Sequence, residues 1–409
     1  MITGCGALSP FGRGVDVFWR SLLEGRSALR PIRSFDTTGY VNAKAAEVID
    51  FVPARDLSAA EAERLDRIAQ FALFAAREAL RDADLDLPWV DDERVGVVLA
   101  TTLGGMLIGE MYQRSFPRLA QDPLLTNEGG GGRIHPRQLL HVPYYAVANR
   151  LARELGVRGP VVSPSIACAS GTHAVGLALH YIRRGYADVF IVGGAETICE
   201  FVVSGFNSLR ATTADTVRPF DARRAGLLLG EGAAVLVVEE AAHAGARGAR
   251  VLAEIAGAGL AGDAVHMTAP ARDGAGAARA MRAALAEAEV APNAIEFVSA
   301  HGTGTLYNDA MEVAAIRAVF GEGAPRVPVN GIKGALGHTL GAAGAFEAIM
   351  CARALVEGVI PPTINCEELD PTCPLDIVRG APRRRSIATA LSTSSAFAGS
   401  NAAIVLRKA

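Results

Sequence analysis

The sequence lacks a long apolar stretch, and its cysteines are few and unpaired. No hydrophobic run reaches the ~18 residues that cross a bilayer. The N-terminus has neither the basic nor the apolar region of a secretory signal. No two of the six cysteines have metal-binding or redox spacing, which predicts reduced thiols in a cytoplasmic protein and no bound metal. The six cysteines are Cys5, Cys168, Cys199, Cys351, Cys366 and Cys373.

Basic charge is not in excess either. The chain has 40 Lys and Arg against 43 Asp and Glu, and its net charge is −3. Nucleic-acid-binding proteins usually carry a strong basic excess, so no nucleic-acid partner is expected. With 50% hydrophobic and 20% charged residues, the 409-residue chain has the composition of a globular protein of two or three domain-sized units. Three of the basic residues are lysines (Lys44, Lys333 and Lys408), and the others are arginines.

Short β-branched segments alternate with alanine-rich helical segments along the whole chain. Residues 94–100, 187–192 and 233–239 are predicted strands, and residues 58–82 form a predicted helix that begins after Ser58. A second set of such segments starts near residue 251. This alternation predicts an α/β protein with buried sheets and helices outside them. The glycine run at 129–132 is predicted to be a surface loop, because no Gly-Lys-Ser/Thr follows it.

One cysteine and two histidines stand where α/β proteins place their active sites. Cys168 follows a predicted strand and opens a helix, whose positive end would lower the pKa of the thiol. His301 and His338 each follow a strand in a glycine-containing turn. Taken alone, each residue is more often structural. Together, without metal-ligand spacing, they indicate thiol chemistry, and Lys333 lies in the same turn as His338.

The two turns also resemble each other. Cys168 and His338 each follow a strand and open an alanine-rich helix, with Gly171 and Gly341 three residues further on. This similarity suggests two related halves that face each other across one site.

Several motifs, in order and spacing, resemble the β-ketoacyl-acyl carrier protein synthases of the elongating type, in the thiolase superfamily. The resemblance covers nearly the whole chain. It implies an α/β fold, the thiolase-like αβαβα sandwich of two pseudo-symmetric halves, with Cys168 in residues 1–249 and His301 and His338 in residues 250–409. The matching motifs are Ile2-Thr-Gly-Cys-Gly-Ala-Leu-Ser-Pro, Ala167-Cys-Ala-Ser-Gly, Val192-Gly-Gly-Ala-Glu196, Arg218-Pro-Phe-Asp221, Gly230-Glu-Gly232, His301-Gly-Thr-Gly-Thr305, Lys333–His338 and Phe397-Ala-Gly-Ser-Asn401.

The resemblance also implies a role for each matching residue. Cys168 would be the acylated nucleophile, His301 and His338 the imidazoles that promote decarboxylation, and Lys333 a buried residue that orders the site. The remaining positions would support these four. They are Thr303 and Thr305 on the pantetheine arm, the backbone N–H groups of Cys168 and Phe397 as oxyanion hole, Phe397 as gate, Leu103 at the acyl pocket, and Asp309 and Glu312 as supporting carboxylates.

The implied reaction is a decarboxylative Claisen condensation between a malonyl-acyl carrier protein and an acyl chain held on Cys168. No cofactor is implied beyond the carrier's own phosphopantetheine. The expected partners are an acyl carrier protein and a second subunit, either another copy or a chain-length-factor-like protein, with residues 161–166 near the interface. Arg64 and Arg67 are candidates for carrier binding, with a solvated helix face as the equal alternative. No membrane partner is expected.

Some positions depart from the family pattern, and they concern the substrate. Residues 225–227 lack an aromatic of the malonyl pocket, and residues 306–309 are closer to polyketide than to fatty-acid enzymes. Ser395 replaces an aromatic near the gate, and Ala396 and Ala398 replace gate-loop glycines. These departures favour a type II polyketide or polyene pathway over fatty-acid synthesis.

Three other functions stay open from the sequence. A chain-length-factor-like subunit would usually lack the nucleophile, whereas Cys168 is present. A thiolase-type acyltransferase would need a second reactive cysteine near the C-terminus, and residues 394–401 contain none. A cysteine acyltransferase or hydrolase of another kind would not release carbon dioxide from a malonyl carrier protein.

Overall fold

The computed structural model describes residues 1–89, 91–121 and 136–409. The glycine run at 129–132 lies outside the described residues. The strands are Ile2–Ser9 (β1), Gly12–Arg13 (β2), Arg30–Pro31 (β3), Lys44–Ala45 (β4), Val95–Ala100 (β5), Val161–Val162 (β6), Val189–Glu196 (β7), Gly232–Glu239 (β8), Glu254–Gly262 (β9), Phe297–Ser299 (β10), Pro328–Asn330 (β11), Val359–Ile360 (β12), Asp376–Ile377 (β13), Arg383–Arg384 (β14), Thr389–Ser395 (β15) and Ser400–Arg407 (β16).

The α-helices range from one turn to four turns. They are Val15–Leu23 (α1), Pro53–Asp56 (α2), Ala59–Arg64 (α3), Arg67–Asp82 (α4), Met106–Gln121 (α5), Ala146–Glu154 (α6), Ser170–Arg183 (α7), Glu200–Ser208 (α8), Ala241–Ala246 (α9), Ala275–Glu287 (α10), Leu306–Phe320 (α11), Lys333–Leu336 (α12) and Ala343–Glu357 (α13).

Two six-stranded sheets share the topology of five strands, and the sixth strand lies at opposite edges: β2 beside β1 in the first sheet and β13 beside β11 in the second. The first has the order β2-β1-β8-β7-β5-β6 and the second the order β13-β11-β10-β15-β16-β9. In each sheet, two antiparallel pairs (β1-β8 and β8-β7; β9-β16 and β16-β15) lead into two parallel pairs (β7-β5 and β5-β6; β15-β10 and β10-β11). The first sheet ends at Glu239 and the second begins at Glu254. The predicted domain boundary at residues 249 and 250 stays a prediction.

The outer helices pack on the two sheets in the same way. A Cβ atom added to Gly6 of β1 would lie 1.9 Å from the carbonyl oxygen of Ala75 in α4. The equivalent atom on Gly259 of β9 would lie 2.0 Å from the carbonyl oxygen of Ala280 in α10. Glycine therefore lets an alanine-rich helix approach the strand backbone in both halves.

Helices α7 and α13 form the central layer between the sheets. α7 packs on β7 and β5 of the first sheet and on β9 and β16 of the second, while α13 packs on β15 and β8. Twelve of the 15 residues of α13 are buried, as expected for a helix that is apolar on all sides. With α4 and α10 outside, the five layers confirm the predicted α/β sandwich.

The predicted helix over residues 58–82 is interrupted. Ser58 caps α3 through a reciprocal capping box with Glu61, so the predicted helix start is confirmed. The chain then leaves the helix at Leu65, which is extended and buried, and α4 begins after Asp66. The Gln70 amide donates to the free carbonyls of Ala62 and Leu65. Burial of Leu65 and these side-chain hydrogen bonds explain the break.

Among the described residues, β6 is the outermost strand of the first sheet, with no strand on its other side. Val161 and Val162 pair with β5 on one side and are partly exposed. Within residues 1–89, 91–121 and 136–409, no helix is both long and apolar enough to cross a membrane.

Candidate active site

Cys168 lies in a constrained turn between β6 and α7. The residue before it, Ala167, has a φ of 51°, in the left-handed region that an alanine seldom adopts. The Ser170 hydroxyl donates to the Ala167 carbonyl and accepts the N–H of Ile166, which holds the turn closed. Cys168 is 5% exposed. Backbone strain and hydrogen bonds therefore fix the thiol at the start of a buried helix.

The pKa of Cys168 is raised, whereas the sequence predicted that the helix start would lower it. Burial raises the pKa of the thiol to about 12, and the nearby Lys333 only partly opposes this. The predicted lowering by the helix start is therefore wrong for the unliganded chain, because desolvation of a thiolate outweighs the field of the helix. The resting thiol is protonated.

His301 and His338 meet edge to face. Their ring centroids are 5.1 Å apart with an interplanar angle of 83°, and both rings are buried. Burial, and then the charge of Lys333, holds the pKa of each imidazole well below its usual value. Both rings are therefore neutral at pH 7.

The hydrogen bonding of His338 fixes its tautomer. Its Nδ1 accepts the backbone N–H of Leu340 at 3.2 Å. A backbone N–H can only donate, so the ring proton lies on Nε2. In the described part of the chain, Nδ1 of His301 is buried without a hydrogen-bond partner.

Lys333 connects the histidine turns to a carboxylate that the sequence analysis did not single out. Its Nζ donates to the His301 carbonyl and to Oε1 of Glu347, both at 2.5 Å. The ion pair is 2% exposed at Lys333 and 1% at Glu347. The signal was present in the sequence, because Glu347 is the one acidic residue inside the apolar body of α13.

A chain of hydroxyl groups connects this ion pair to α7, the helix that follows Cys168. Ser394 of β15 donates to Oε2 of Glu347 at 3.3 Å, and its Oγ lies 2.8 Å from that of Thr172 in α7. Thr172 is one helical turn after Cys168. The Lys333–Glu347 pair is thus linked to both sides of the site.

Glu312 and Asp309, both predicted as supporting carboxylates, hold the turn that carries His301. Glu312 accepts the N–H groups of His301 and Gly302 at 2.6 and 2.7 Å. Asp309 accepts those of Phe220 and Gly304 at 2.8 and 3.1 Å. Burial raises the pKa of Glu312 to about 7 and also raises that of Asp309. These carboxylates bind backbone and do not line the cavity.

Six of the predicted residues meet at one cavity of about 260 Å³, whereas Lys333, Asp309, Glu312 and Leu103 are not in its lining. Cys168, His301 and His338 line it, together with Thr303 and Thr305, whose hydroxyls are 2.9 Å apart. Much of the remaining wall is apolar or small. It includes Phe206, Leu209, Ala225, Leu227, Leu306, Tyr307, Ser395, Ala396 and Phe397.

Phe397 lies against a second aromatic ring that sequence reasoning missed. Phe206 of α8 stacks on it with centroids 5.7 Å apart and planes at 23°. No local pattern marks Phe206, because its proximity to residue 397 comes only from the tertiary fold. The next residue, Ala398, has a φ of 63° and donates its N–H to the Met267 carbonyl at 2.6 Å. The loop is therefore strained and tied to the segment after β9.

Leu103, predicted at the acyl pocket, packs, partly buried, against the apolar cluster that contains Cys168, Ile198, Val202 and Leu340. Phe206 packs against the same cluster. Leu103 is not among the residues that line the cavity.

Glu196 is a further buried carboxylate that sequence reasoning did not assign. It accepts the N–H groups of Thr102 and Gly341, and so joins the end of β7 to the turn that follows His338. Burial raises its pKa to about 7. Its motif, Val192–Glu196, was the available signal.

Arg64 and Arg67 are already engaged within the chain. Arg64 binds Glu154 through two nitrogens, at 3.1 and 2.6 Å. Arg67 binds the buried Glu231 at 2.7 Å and stacks over Phe71. Arg64 is exposed and Arg67 partly exposed, so both are ion-paired side chains at the surface, and carrier binding by them stays a prediction.

The chain matches known proteins over its whole length. The family model of the beta-ketoacyl synthase N-terminal domain matches residues 1–244, and that of the C-terminal domain matches residues 252–367. A Streptomyces halstedii protein named polyketide beta-ketoacyl synthase 1 is 41% identical, covering 99% of this chain and 97% of its own. The 3-oxoacyl-[acyl-carrier-protein] synthase 2 of Staphylococcus aureus (strain COL) is 38% identical, covering 100% and 98%.

A solved structure agrees with these sequence matches. The ishigamide ketosynthase/chain length factor superposes with a TM-score of 0.92 at 40% identity, covering 100% of this chain and 98% of the other. The domain models, the relatives and the solved structure all match this chain to ketosynthases. The chain therefore belongs to the beta-ketoacyl synthase family of enzymes.

Proposed function

We propose that this enzyme condenses a malonyl-acyl carrier protein with an acyl chain held on Cys168, and releases carbon dioxide and a β-ketoacyl-acyl carrier protein. One observation carries the proposal. A thiol and two neutral imidazoles line the same cavity, whose wall near them is apolar or small. This set suits a reaction that needs a nucleophile and uncharged N–H donors.

In the first half-reaction, Cys168 takes the acyl group. Its Sγ attacks the thioester carbonyl, the C–S bond to pantetheine breaks, and the thiol proton ends on the departing pantetheine sulfur. The backbone N–H groups of Cys168 and Phe397 would stabilise the oxyanion of the tetrahedral intermediate. Since the resting thiol is protonated, acylation includes this proton transfer.

In the second half-reaction, the imidazoles act on the malonyl thioester. The Nε2–H of His338 and an N–H of His301 would donate to the thioester oxygen, so that the bond to the carboxylate breaks and carbon dioxide leaves. The enolate carbon then attacks the acyl carbonyl on Cys168, the bond from that carbonyl to the cysteine sulfur breaks, and the thiolate takes up a proton from water. A neutral imidazole donates without attracting the carboxylate that must leave.

The other residues would support these steps. Lys333 and Glu312 hold the carbonyl and N–H of His301, and so would orient its ring. Thr303 and Thr305 would hydrogen-bond the pantetheine arm in the cavity. Leu103 would limit the depth of the acyl pocket, and Phe397 would separate that pocket from the malonyl site. No cofactor of the enzyme's own takes part in this scheme.

We place the enzyme in a type II polyketide or related pathway, with an acyl carrier protein as substrate donor. The support is the polyketide name of the Streptomyces relative and the close superposition on the ishigamide ketosynthase/chain length factor. The open edge of β6 would pair with a second subunit of the same fold, either another copy or a chain-length-factor-like protein. Six free, buried thiols fit a reducing cytoplasm.

The test uses the purified enzyme, with its partner subunit if it has one. It is incubated with acyl carrier protein thioesters and followed by intact-protein mass spectrometry. We expect an acyl adduct that Cys168→Ala lacks, and a β-ketoacyl product from malonyl but not from acetyl carrier protein. Condensation with acetyl carrier protein would indicate a thiolase-type enzyme, and absence of any adduct would indicate a chain-length-factor-like subunit.

A further inference from the structure

The carboxylate of Glu196 lies where three segments around the cavity meet. Glu196 is the last residue of β7 and is 1% exposed. Its Oε1 accepts the N–H of Thr102, in the loop after β5, and the N–H of Gly341 at 3.2 Å, in the turn after His338. One carboxylate oxygen therefore joins the loop that carries Leu103 to the turn on the histidine side of the site.

The turn at Gly341 is confined on its other sides by glycines. A Cβ atom added to Gly171 of α7 or to Gly194 of β7 would lie 2.7 Å from the carbonyl oxygen of Gly341. A Cβ atom on Gly341 itself would lie 2.7 Å from Oε1 of Glu196 and from the backbone nitrogen of Thr102. Close packing therefore limits the turn where the glycines face it, and the carboxylate holds it where polar groups face it.

A strained residue stands between this carboxylate and the ring of His338. Leu340 has a φ of 48°, a left-handed conformation that persists only where the surroundings hold it. Its N–H donates to Nδ1 of His338 at 3.2 Å and so keeps the ring proton on Nε2. The next N–H along the chain, that of Gly341, is the one that Glu196 holds. This hydrogen bond opposes relaxation of Leu340, which would turn the Leu340 N–H away from the imidazole.

We propose that Glu196 is a positioning residue for condensation, which fixes the tautomer and the orientation of the His338 ring through the turn at Gly341. This inference rests on the proposed function. The same oxygen fixes the start of the loop that carries Leu103, so the proposed acyl pocket and the histidine turn keep one spacing. Glu196 acts through the backbone, since it is not among the described residues that line the cavity.

Two substitutions separate the position of this oxygen from its charge. Glu196→Ala removes the acceptor of both N–H groups and should slow condensation at least about tenfold, because a small displacement of a catalytic group has a large effect on rate. Acylation of Cys168 should slow by less than about threefold, since other backbone groups form its proposed oxyanion hole. Both steps are measured as single-turnover rates.

Glu196→Gln should restore most of the condensation rate. It keeps a carbonyl oxygen for the N–H groups of Thr102 and Gly341, although the negative charge is gone. Its amide N–H groups can donate to the hydroxyls of Thr101 and Thr102, which stand beside the carboxyl. Rescue by this variant is expected of a residue that acts by geometry.

The tautomer of His338 gives a second readout, which needs no turnover. Nitrogen-15 signals of the ring distinguish a protonated from an unprotonated imidazole nitrogen. In enzyme labelled at its histidine rings, the signals of His338 are those missing from His338→Ala. They should show an unprotonated Nδ1 in the wild type and in Glu196→Gln, and a mixture of tautomers in Glu196→Ala.

Glu47 offers a matched control. It is 4% exposed and also accepts two backbone N–H groups, those of Arg33 and Ser34 at 2.8 and 3.1 Å. None of these three is among the described residues that line the cavity. Glu47→Ala should therefore lower stability, without changing the ratio of condensation to acylation or the signals of His338.

Equal slowing of both steps in Glu196→Ala, or wild-type His338 signals in that variant, would overturn the positioning proposal. A tenfold loss of condensation in Glu196→Gln would also overturn it, since charge and not geometry would then matter, and this arm decides even if Glu196→Ala does not fold. A wild-type enzyme that forms neither acyl adduct nor product would instead contradict the proposed function, while the His338 signals would still test the turn.

Discussion

The two turns that face each other across the cavity have the same backbone design and different surroundings. Cys168 precedes α7 and His338 precedes α13, and each turn contains a non-glycine residue with positive φ, Ala167 at 51° and Leu340 at 48°. The turns touch, since a Cβ atom on Gly171 would lie 2.7 Å from the carbonyl oxygen of Gly341. A repeated strand–turn–helix unit therefore builds both sides of the site.

The charges around the two turns differ. On the Cys168 side an apolar cluster has one buried carboxylate near it, Glu196, and burial there raises the pKa of the thiol. The histidine side holds Lys333, Glu347, Glu312 and Asp309, all buried, and the Lys333 charge helps to keep both imidazoles neutral. The comparison teaches that the shared backbone positions the groups, while unequal burial of charge gives each half its own chemistry.

Removal of the thiol should have the largest effect. Cys168→Ala leaves room in a turn of small residues, so we expect normal folding, no acyl adduct and no condensation. Circular dichroism checks the fold and mass spectrometry checks the adduct. An acyl group that persists on the variant would show that the nucleophile lies elsewhere.

Loss of either imidazole should slow the second half-reaction, condensation, much more than the first, acylation. His301→Ala and His338→Ala should each slow condensation by about a hundredfold, the scale of losing one oxyanion donor. Acylation of Cys168 should suffer much less, because its proposed oxyanion hole is made of backbone N–H groups. Single-turnover rates of acylation and of condensation measure the two effects separately. Equal losses in both steps would mean that the histidines do not act on condensation alone.

The buried ion pair allows stability and chemistry to be separated. Glu347→Leu leaves Lys333 buried without its carboxylate, and should lower the free energy of unfolding by about 3 kcal/mol. The double variant Lys333→Met/Glu347→Leu should recover most of that loss, since no unpaired charge remains, and should still condense slowly. Urea unfolding and product formation provide the two readouts. Full activity in the double variant would assign the pair to folding alone.

The pH dependence of Glu312 should be visible in stability. Its pKa is about 7 in the fold and lower when unfolded, so the folded state binds the extra proton between these values. This contribution is present at low pH and lost as pH rises through 7. The stability difference between wild type and Glu312→Gln should therefore shift against the wild type from pH 5 to pH 8. A difference independent of pH would show that this carboxyl titrates normally.

The gate should give the smallest effect. Ala398 has a left-handed backbone that glycine adopts freely, so Ala398→Gly should loosen the loop and widen the range of acyl lengths that reach Cys168. Relief of the backbone strain at residue 398 should stabilise the folded state by about 1 kcal/mol, and the greater freedom of glycine in the unfolded chain should largely offset this. Acylation across a ladder of chain lengths, with Phe397→Ala as the open-gate control, measures this. An unchanged range in both variants would exclude Phe397 as the selective element.

Much of this site could be predicted from the sequence, because strand–turn–helix motifs carry their chemistry locally. Cys168, His301, His338 and Lys333 lie in such motifs, and the family resemblance implies their roles. The alternation of strands and helices predicts an α/β protein, and the resemblance implies its five layers. Phe206 could not be found, since it meets Phe397 only in the folded chain.

The predicted lowering of the pKa of Cys168 was wrong for the same reason. A helix start is visible in a sequence, whereas the burial that outweighs it is a property of the packed structure. The partners of Arg64 and Arg67, Glu154 and Glu231, are likewise distant in sequence and adjacent only in the fold.

The stoichiometry of one turnover tests the central claim most directly. Enzyme already acylated on Cys168 is mixed with malonyl-acyl carrier protein labelled in the free carboxyl group, and carbon dioxide and β-ketoacyl product are counted together. The account predicts one carbon dioxide for each product, and slow formation of both in His301→Ala and His338→Ala. Product without labelled carbon dioxide, or wild-type rates in either histidine variant, would contradict it.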